Sequence, residues 1–512
     1  MPVTYPPCSC QAPHTIASKV PPLRVAVTPD KGRCFVAARN IAPGELLLEC
    51  EAYGGAVIVD STARKYFCAS AECGKFLGRE SNGNGEQSET DSEGKGGHSR
   101  DCRATLEPLP FGCARGCGTV AYCSKHCSER DWNDFHSYEC EFLAKQVLPY
   151  CGPHANLVNI PPSPLTNGST GNGHTPESQN GFKEDKLGAL PLTSTLRNPY
   201  VHDYLRLLVR VLTARFKELR GQPDDVPVNG HSNTPYSALR SVPCWADVLS
   251  MTSNIKEFSE DRVSGEFQVV ASKLREYAEH WLGVDQAQLF GEKLDSQDPY
   301  LLLVAREECN SFGLYTHSIT MPEAERSTEP LATQTQPSSR QSYGLTIYPT
   351  AAFFNHSCAP NAVHLSYPQP SNRAGTDSPP ATPRMLFFAL PRREILAGDE
   401  ICISYTAPAH LVAAERSQNA AVTRRSELQK WFLFECGCSR CVSEVEGKPL
   451  PKEVEAALVG GLCDPKGTVC SGRWVPGRSV DKVQIQCSKE EKLACGDSFG
   501  DWRCEACMRP MT

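Results

Sequence analysis

No run of about 18 apolar residues occurs anywhere in the 512-residue chain. Its opening residues, MPVTYPPCSC, lack the basic stretch and apolar segment that direct secretion. The expectation is a protein that neither spans a membrane nor is exported, residing in the cytoplasm, the nucleus or both. A basic excess is also missing: 52 Lys and Arg stand against 59 Asp and Glu, for a net charge of -7. Wrapping nucleic acid by bulk electrostatics is therefore not expected, while a mildly acidic surface suits basic peptides. No fixed-period repeat is visible, which argues against a solenoid.

What the chain does have is cysteine, 26 of them. In a reducing compartment disulfides do not persist, so close cysteine spacings point to metal, and zinc is the first candidate. The densest set is Cys68, Cys73, Cys113, Cys117, Cys123, Cys127, His136 and Cys140. Two tetrahedral ions need eight such donors, and pairs a few residues apart let one turn supply two of them. His136 and Cys140, at i and i+4, can share one helix face. Cys102 could replace one member of the set.

Around these cysteines the chain alternates structured and low-complexity text. Pro22 to Glu49 carries β-rich apolar runs broken by the turn signals PDKG and APG, which predicts strand, turn, strand. The Gly/Ser-rich stretch 79–100 has too little apolar surface to stay ordered and reads as a loop insertion. Further linker-like stretches are 161–180 and 325–342. Helices are expected over Tyr204 to Leu219 and Glu266 to Leu282, and β segments or their flanks over Ile347 to Phe354, Met385 to Leu390 and Glu400 to Tyr405.

The run CARGCGTVAYCSKHCSERDWNDFHSYEC resembles the MYND zinc finger in Tyr122 to Ser124, Cys127, Trp132, His136 and Cys140. That resemblance implies interleaved sites, with Cys68, Cys73, Cys123 and Cys127 on one zinc and Cys113, Cys117, His136 and Cys140 on the other. It also implies a proline-containing peptide partner. KGRCFVAARNIAPGE before the finger, and CNSFG, FFNHSCAPN, GDEICISYT and FECGCSRC after it, together resemble a SET domain split by MYND, the arrangement of the SMYD lysine methyltransferases. The fold so implied is α+β: a SET-type β fold split by an inserted MYND finger and a helical insert, followed by a post-SET zinc site and a small Cys-rich tail. Its parts would be an N-terminal SET portion (20–67), the finger (68–140), a linker and helical insert (141–300), the SET core (301–410), a post-SET segment (411–445) and the tail (446–512).

The same resemblance implies S-adenosyl-L-methionine as cofactor and a protein substrate with an accessible lysine, in histones or other proteins. Lys31, Gly32, Arg33, Asn310, Asn355, His356 and Phe434 would form the cofactor side, and Tyr405 would be catalytic. Chemically, Gly32 lets backbone approach a ligand closely, the two Asn amides suit a charged amino-acid end, and a phenol at Tyr405 suits the meeting point of methyl and amine. Cys358, Cys436, Cys438 and Cys441 would hold a third zinc. In the tail, Cys463, Cys470, Cys504 and Cys507 could make a fourth site, although Cys487 and Cys495 are also available. The competing reading is a catalytically silent scaffold that binds proline-containing partners.

Overall fold

The computed structural model describes residues 21–29, 31–58, 67–70, 111–147, 195–196, 198–221, 243–291, 297–316, 341–367, 384–406, 418–463, 470, 472–477, 500–504 and 511. Cys73, Cys507, the insertion 79–100, the stretch 161–180 and most of 325–342 lie outside them. Strands β1 (Leu23–Thr28) and β2 (Gly32–Ala37) pair antiparallel across the PDKG turn. Strands β3 (Leu46–Glu51) and β4 (Tyr53–Ile58) follow. Within the cysteine-rich segment β5 (Phe111–Gly112) pairs with β6 (Ala121–Tyr122). Helix α1 (Lys125–Asp131) then starts at Ser124, whose hydroxyl accepts from the Cys127 N–H at 3.1 Å and so caps a free donor. A wider π turn, Trp132–His136, joins α1 to α2 (Ser137–Phe142). His136 comes from the π turn and Cys140 from α2, and across this continuous helical run their donor atoms meet in one cluster, as the i, i+4 spacing suggested.

The long helix α3 (Pro199–Gly221) is followed by α4 (Trp245–Ser250), α5 (Gln268–Glu276) inside a helical run that begins at Glu260, and α6 (Pro299–Asn310). Strands β7 (Ser311–Thr316) and β8 (Gln341–Ile347) come next, the latter beginning where a linker was expected. Pro349–Phe353, within the stretch expected to be β or its flank, is a 3-10 turn directly after β8, and Pro349 there lacks the donor that a central strand needs. Short β9 (Asn355–His356), then β10 (Ala362–Tyr367), β11 (Arg384–Ala389) and β12 (Cys402–Ile403) complete the central part. The C-terminal elements are α7 (Gln418–Phe432), α8 (Ser439–Val445), α9 (Lys452–Gly461), β13 (Trp474–Gly477) and β14 (Gly500–Cys504).

Strands from before and after the cysteine-rich segment share sheets. β3 lies beside β11 in the order β10-β11-β3, and β4 beside β8 in the order β4-β8-β7. β9 and β12 pair in parallel, with Asn355 opposite Cys402 and His356 opposite Ile403, so two of the chain's separated motifs are held side by side. The sheets enclose one apolar core and α3 is the axis of a second. Tyr204, Leu205, Leu208 and Val211 on α3 are fully buried, and so nearly are Arg206 and Arg210, which makes α3 a central helix buried on all sides. Among the described residues no helix is long and apolar enough to cross a membrane.

β4 reaches α3 at Gly54, whose φ is +75° and where a Cβ would stand 3.0 Å from the Val211 backbone. Gly54→Ala should therefore lower stability by at least about 2 kcal/mol, from the left-handed backbone and the overpacking together. Gly221→Ala, at an open helix end with no neighbour within 4 Å of the new methyl, should not lower it. Denaturant unfolding of the two variants checks this, and equal midpoints would be incompatible with the contact.

Candidate active site

The parallel pairing of β9 with β12 brings His356 to Tyr405. The Tyr405 N–H donates to His356 Nδ1 at 2.9 Å, and His356 Nε2 lies 3.2 Å from Cys358 Sγ. The tautomer follows: Nδ1 accepts, so Nε2 carries the proton toward sulfur. Burial lowers the His356 pKa to about 4, which keeps the ring neutral. Both nitrogens are thus engaged inside the protein. Through these contacts the His356 ring orients the strand that carries Tyr405.

The Tyr405 hydroxyl donates to the Phe354 carbonyl at 2.6 Å, and burial holds the phenol well above its ordinary pKa, so it stays protonated. Around it stand Phe432 at 4.8 Å and Phe434 at 6.3 Å between ring centroids, the latter edge-on. Phe434 also faces His356 at 6.0 Å. Leu433 between the two phenylalanines adopts a φ of +62°, rare for a branched side chain. Its side chain packs on the α3 core while both neighbours face Tyr405. An aromatic wall of this kind attracts cations through the ring quadrupoles.

On the other side, Lys31 Nζ lies 2.7 Å from Glu400 Oε2, and Asn355 Nδ2 donates to Glu400 Oε1 at 2.9 Å. Glu400 therefore gathers the β1–β2 turn and the β9 motif. Gly32, at φ +69°, leaves nothing within 4 Å of where a Cβ would stand, an open face against which a ligand could lie. Cys34 is fully buried, so its side chain does not occupy that face. Arg33 donates to the Ser250 carbonyl and lies 4.8 Å over the Phe353 ring. Asn310 Nδ2 donates to the Thr252 carbonyl at 2.8 Å and the Arg306 carbonyl at 2.7 Å, leaving its amide oxygen as what the side chain can offer a ligand. Arg306 holds Met251 O at 3.1 Å. The segment 250–253 is thus suspended between Arg33 and α6.

Three donor clusters surround these elements, the donor atoms of each lying within 4.8 Å of one another. Cys113, Cys117, His136 and Cys140 form one, Cys68, Cys123 and Cys127 the second, and Cys358, Cys436, Cys438 and Cys441 the third. Zn–S bonds of about 2.3 Å in a tetrahedron put sulfurs about 3.8 Å apart. The observed separations match: 3.5 Å for Cys113 and Cys140, 3.6 Å for Cys123 and Cys127, and 3.5 and 3.9 Å from Cys358 to Cys441 and Cys436. His136 Nδ1 sits 3.1 Å from Glu139 Oε1, which leaves Nε2, 3.2 Å from Cys117 Sγ, to face a metal. At the third cluster the buried guanidinium of Arg424 reaches Cys441 Sγ at 3.8 Å, and Arg440 binds the Cys358 carbonyl at 3.1 Å, both tied to Glu444. Such charges offset the negative excess of four thiolates on one divalent ion.

Sequence reasoning missed Glu400 and the 250–253 segment. Glu400 was visible within GDEICISYT; segment 250–253 lies about 55 residues before the motif it supports and has no local signal.

A SET domain family model matches residues 32–406. The chain is similar to a histone-lysine N-methyltransferase of Arabidopsis thaliana, ASHR2, 28% identical over 29% of each chain. It is similar to a SET and MYND domain-containing protein of Dictyostelium discoideum, 22% identical over 67% of this chain and 50% of that protein. It is also similar to the protein-lysine N-trimethyltransferase SMYD5 of Gallus gallus, 28% identical over 24% of each. The chain thus spans half or less of the length of these relatives. Because the family model covers well over half of the chain, and carries with it the strands that assemble Tyr405, His356 and Asn355, this protein belongs to the SET domain family, with SMYD-like relatives.

Proposed function

We propose that the protein is an S-adenosylmethionine-dependent protein lysine N-methyltransferase. The observation that carries this reading is the Tyr405 phenol, neutral, donated to the Phe354 carbonyl and walled by Phe432 and Phe434. S-Adenosylmethionine supplies a methyl group on a sulfonium, which a neutral amine can displace. The chain's own part is geometry and electrostatics. Lys31 and Asn355, gathered by Glu400, together with Gly32 would hold the amino-acid end of the cofactor, and the Asn310 amide oxygen would accept from its ammonium. The aromatic wall excludes water and would favour a cationic sulfonium over its hydrated form. Tyr405 oxygen, its proton committed to Phe354, turns lone pairs to the incoming amine and aligns it. The methyl acceptor is a lysine in a basic segment of a histone or another protein, consistent with the net charge of -7. The names of the Arabidopsis and Gallus relatives point the same way.

The same reading makes the first two clusters a MYND finger, with Cys73 as fourth donor of its second site and a proline-containing peptide as partner, and makes the third cluster a post-SET zinc site. Zinc in the third cluster would tie Cys358, two residues after His356, to the segment that carries Phe434.

Incubating the purified chain with cofactor labelled in its methyl group, together with a cell extract, tests the activity. Tyr405→Phe should cut label transfer by about 10²-fold or more while cofactor still binds by calorimetry. Unchanged labelling would overturn the catalytic role, and no labelling in the unaltered chain would leave the scaffold reading. Glu400→Gln should weaken cofactor binding about tenfold, because Lys31 and Asn355 lose their shared anchor. Cys441→Ser should release one equivalent of zinc and cost label transfer together. Loss of the metal with transfer intact would separate the third cluster from the chemistry.

A further inference from the structure

A fourth group of thiols lies in the tail, separate from the three clusters described above. Cys463, at the end of α9, Cys470, and Cys504, the last residue of β14, bring their sulfurs within 4.8 Å of one another. Cys470 and Cys504 are separated by 3.5 Å, the same as Cys113 and Cys140, and close to the tetrahedral edge of a zinc thiolate site. The Gly472 N–H points at Cys470 Sγ at 3.4 Å, two residues on, just as the Arg115 N–H points at Cys113 Sγ at 3.3 Å. An amide donor aimed at sulfur stabilises the thiolate form that a metal requires.

The surroundings explain why this segment would need a metal. β13 and β14 are an isolated two-stranded ribbon of four and five residues, and such a ribbon is marginal in water without further support. Beyond the buried Trp474, its apolar contribution to the sheet runs through one buried strand residue, Val475, which joins Val363, Leu386, Phe388 and Leu390 on the outer face of the β10-β11-β3 sheet. Trp502 lies edge-on to Phe388 at 6.3 Å and above Gly44, where a Cβ would come 3.2 Å from the indole nitrogen. The thiols sit on all three pieces that must be fastened: the end of α9, the entry to β13 and the end of β14. Backbone already joins the first two, through the Cys463 N–H donating to the Gly472 carbonyl at 2.9 Å.

We propose that Cys463, Cys470 and Cys504 are thiolate ligands of a fourth zinc ion, which fastens the terminal ribbon to the outer face of the central sheet. Soft thiolates select zinc over harder divalent ions. The site is independent of the methyltransferase reading.

The test counts zinc in the full chain purified under reducing conditions. The unaltered protein should carry one equivalent more than the double variant Cys470→Ser with Cys504→Ser, and equal zinc contents would overturn the proposal. Should the double variant fail to fold, the unaltered chain decides by alkylation and mass spectrometry. Cys463 and Cys470 are only half-buried, so as free thiols they would react readily. In the zinc-loaded protein both should react at least about tenfold more slowly than after the same protein is denatured in chelator. Ready alkylation of the zinc-loaded chain, or recovery of Cys470 joined to Cys504 as a disulfide, would overturn the site.

Discussion

The guanidinium of Arg210 is the point at which the separate parts of the molecule are made one. It projects from the central helix α3, is 1% exposed, and donates to Glu139 at 2.9 Å, Asp131 at 3.0 Å and the Ala56 carbonyl at 3.3 Å. Three chain segments meet there: α3, β4, and the helical run that supplies His136 and Cys140. Burial alone would push the Glu139 carboxyl up, but Arg210 and His136 outweigh it and hold the group at about 2. The ionised carboxylate then fixes His136 by its Nδ1–H. A buried charge set of this kind is weak as a source of stability but strong as a constraint, because losing one member strands the rest at a cost of about 3–5 kcal/mol. Asp131, which also accepts from the Tyr122 hydroxyl at 2.8 Å, extends the same network into the β5-β6 ribbon.

A second relay runs at the opposite end. From Cys358 sulfur it passes to His356 Nε2, and from His356 Nδ1 to the Tyr405 amide. The position of the proposed catalytic phenol is thereby set by the Cys358 sulfur, two residues beyond the histidine. The third cluster also anchors Phe434, through Cys436, so both walls of the aromatic pocket depend on one set of sulfurs. The positive φ of Leu433 is tolerated here because its side chain gains contacts with the helical core while its neighbours face the other way.

Much of this was legible in the chain. Seven of the first eight donors are described and fall into the two interleaved groups that the MYND resemblance implied, and the four sulfurs of the third set converge as the SET resemblance implied. Cysteine spacing is informative because thiolate geometry is nearly fixed, so only a few arrangements of close pairs can satisfy an ion. Helix α3 and the helical run that holds α5 were legible as apolar periodicity, but α4, α6 and the central position of α3 were not. Periodicity reports which residues avoid water, and Arg206 and Arg210 look like a solvated face until their partners, remote in sequence, are known. Of the two short strands, β12 falls within the expected β segment Glu400 to Tyr405, while β9 gave no local signal, because pairing across the fold decides a two-residue strand more than local preference does.

The same reasoning explains why the ligand-facing residues are held so indirectly. Asn310 closes α6, Asn355 lies on a two-residue strand, Lys31 borders a turn and Tyr405 follows a short bridge. None of these stations is rigid on its own, since a strand of two residues has almost no ladder of its own. Precision must therefore be imported, and three kinds of fastening supply it: Glu400 between Lys31 and Asn355, the 250–253 carbonyls between Arg33 and Asn310, and the sulfur cluster behind His356. Each fastening joins segments far apart in sequence. A chain assembled in this way can carry long insertions between its motifs, because loop length costs little once the ends are pinned.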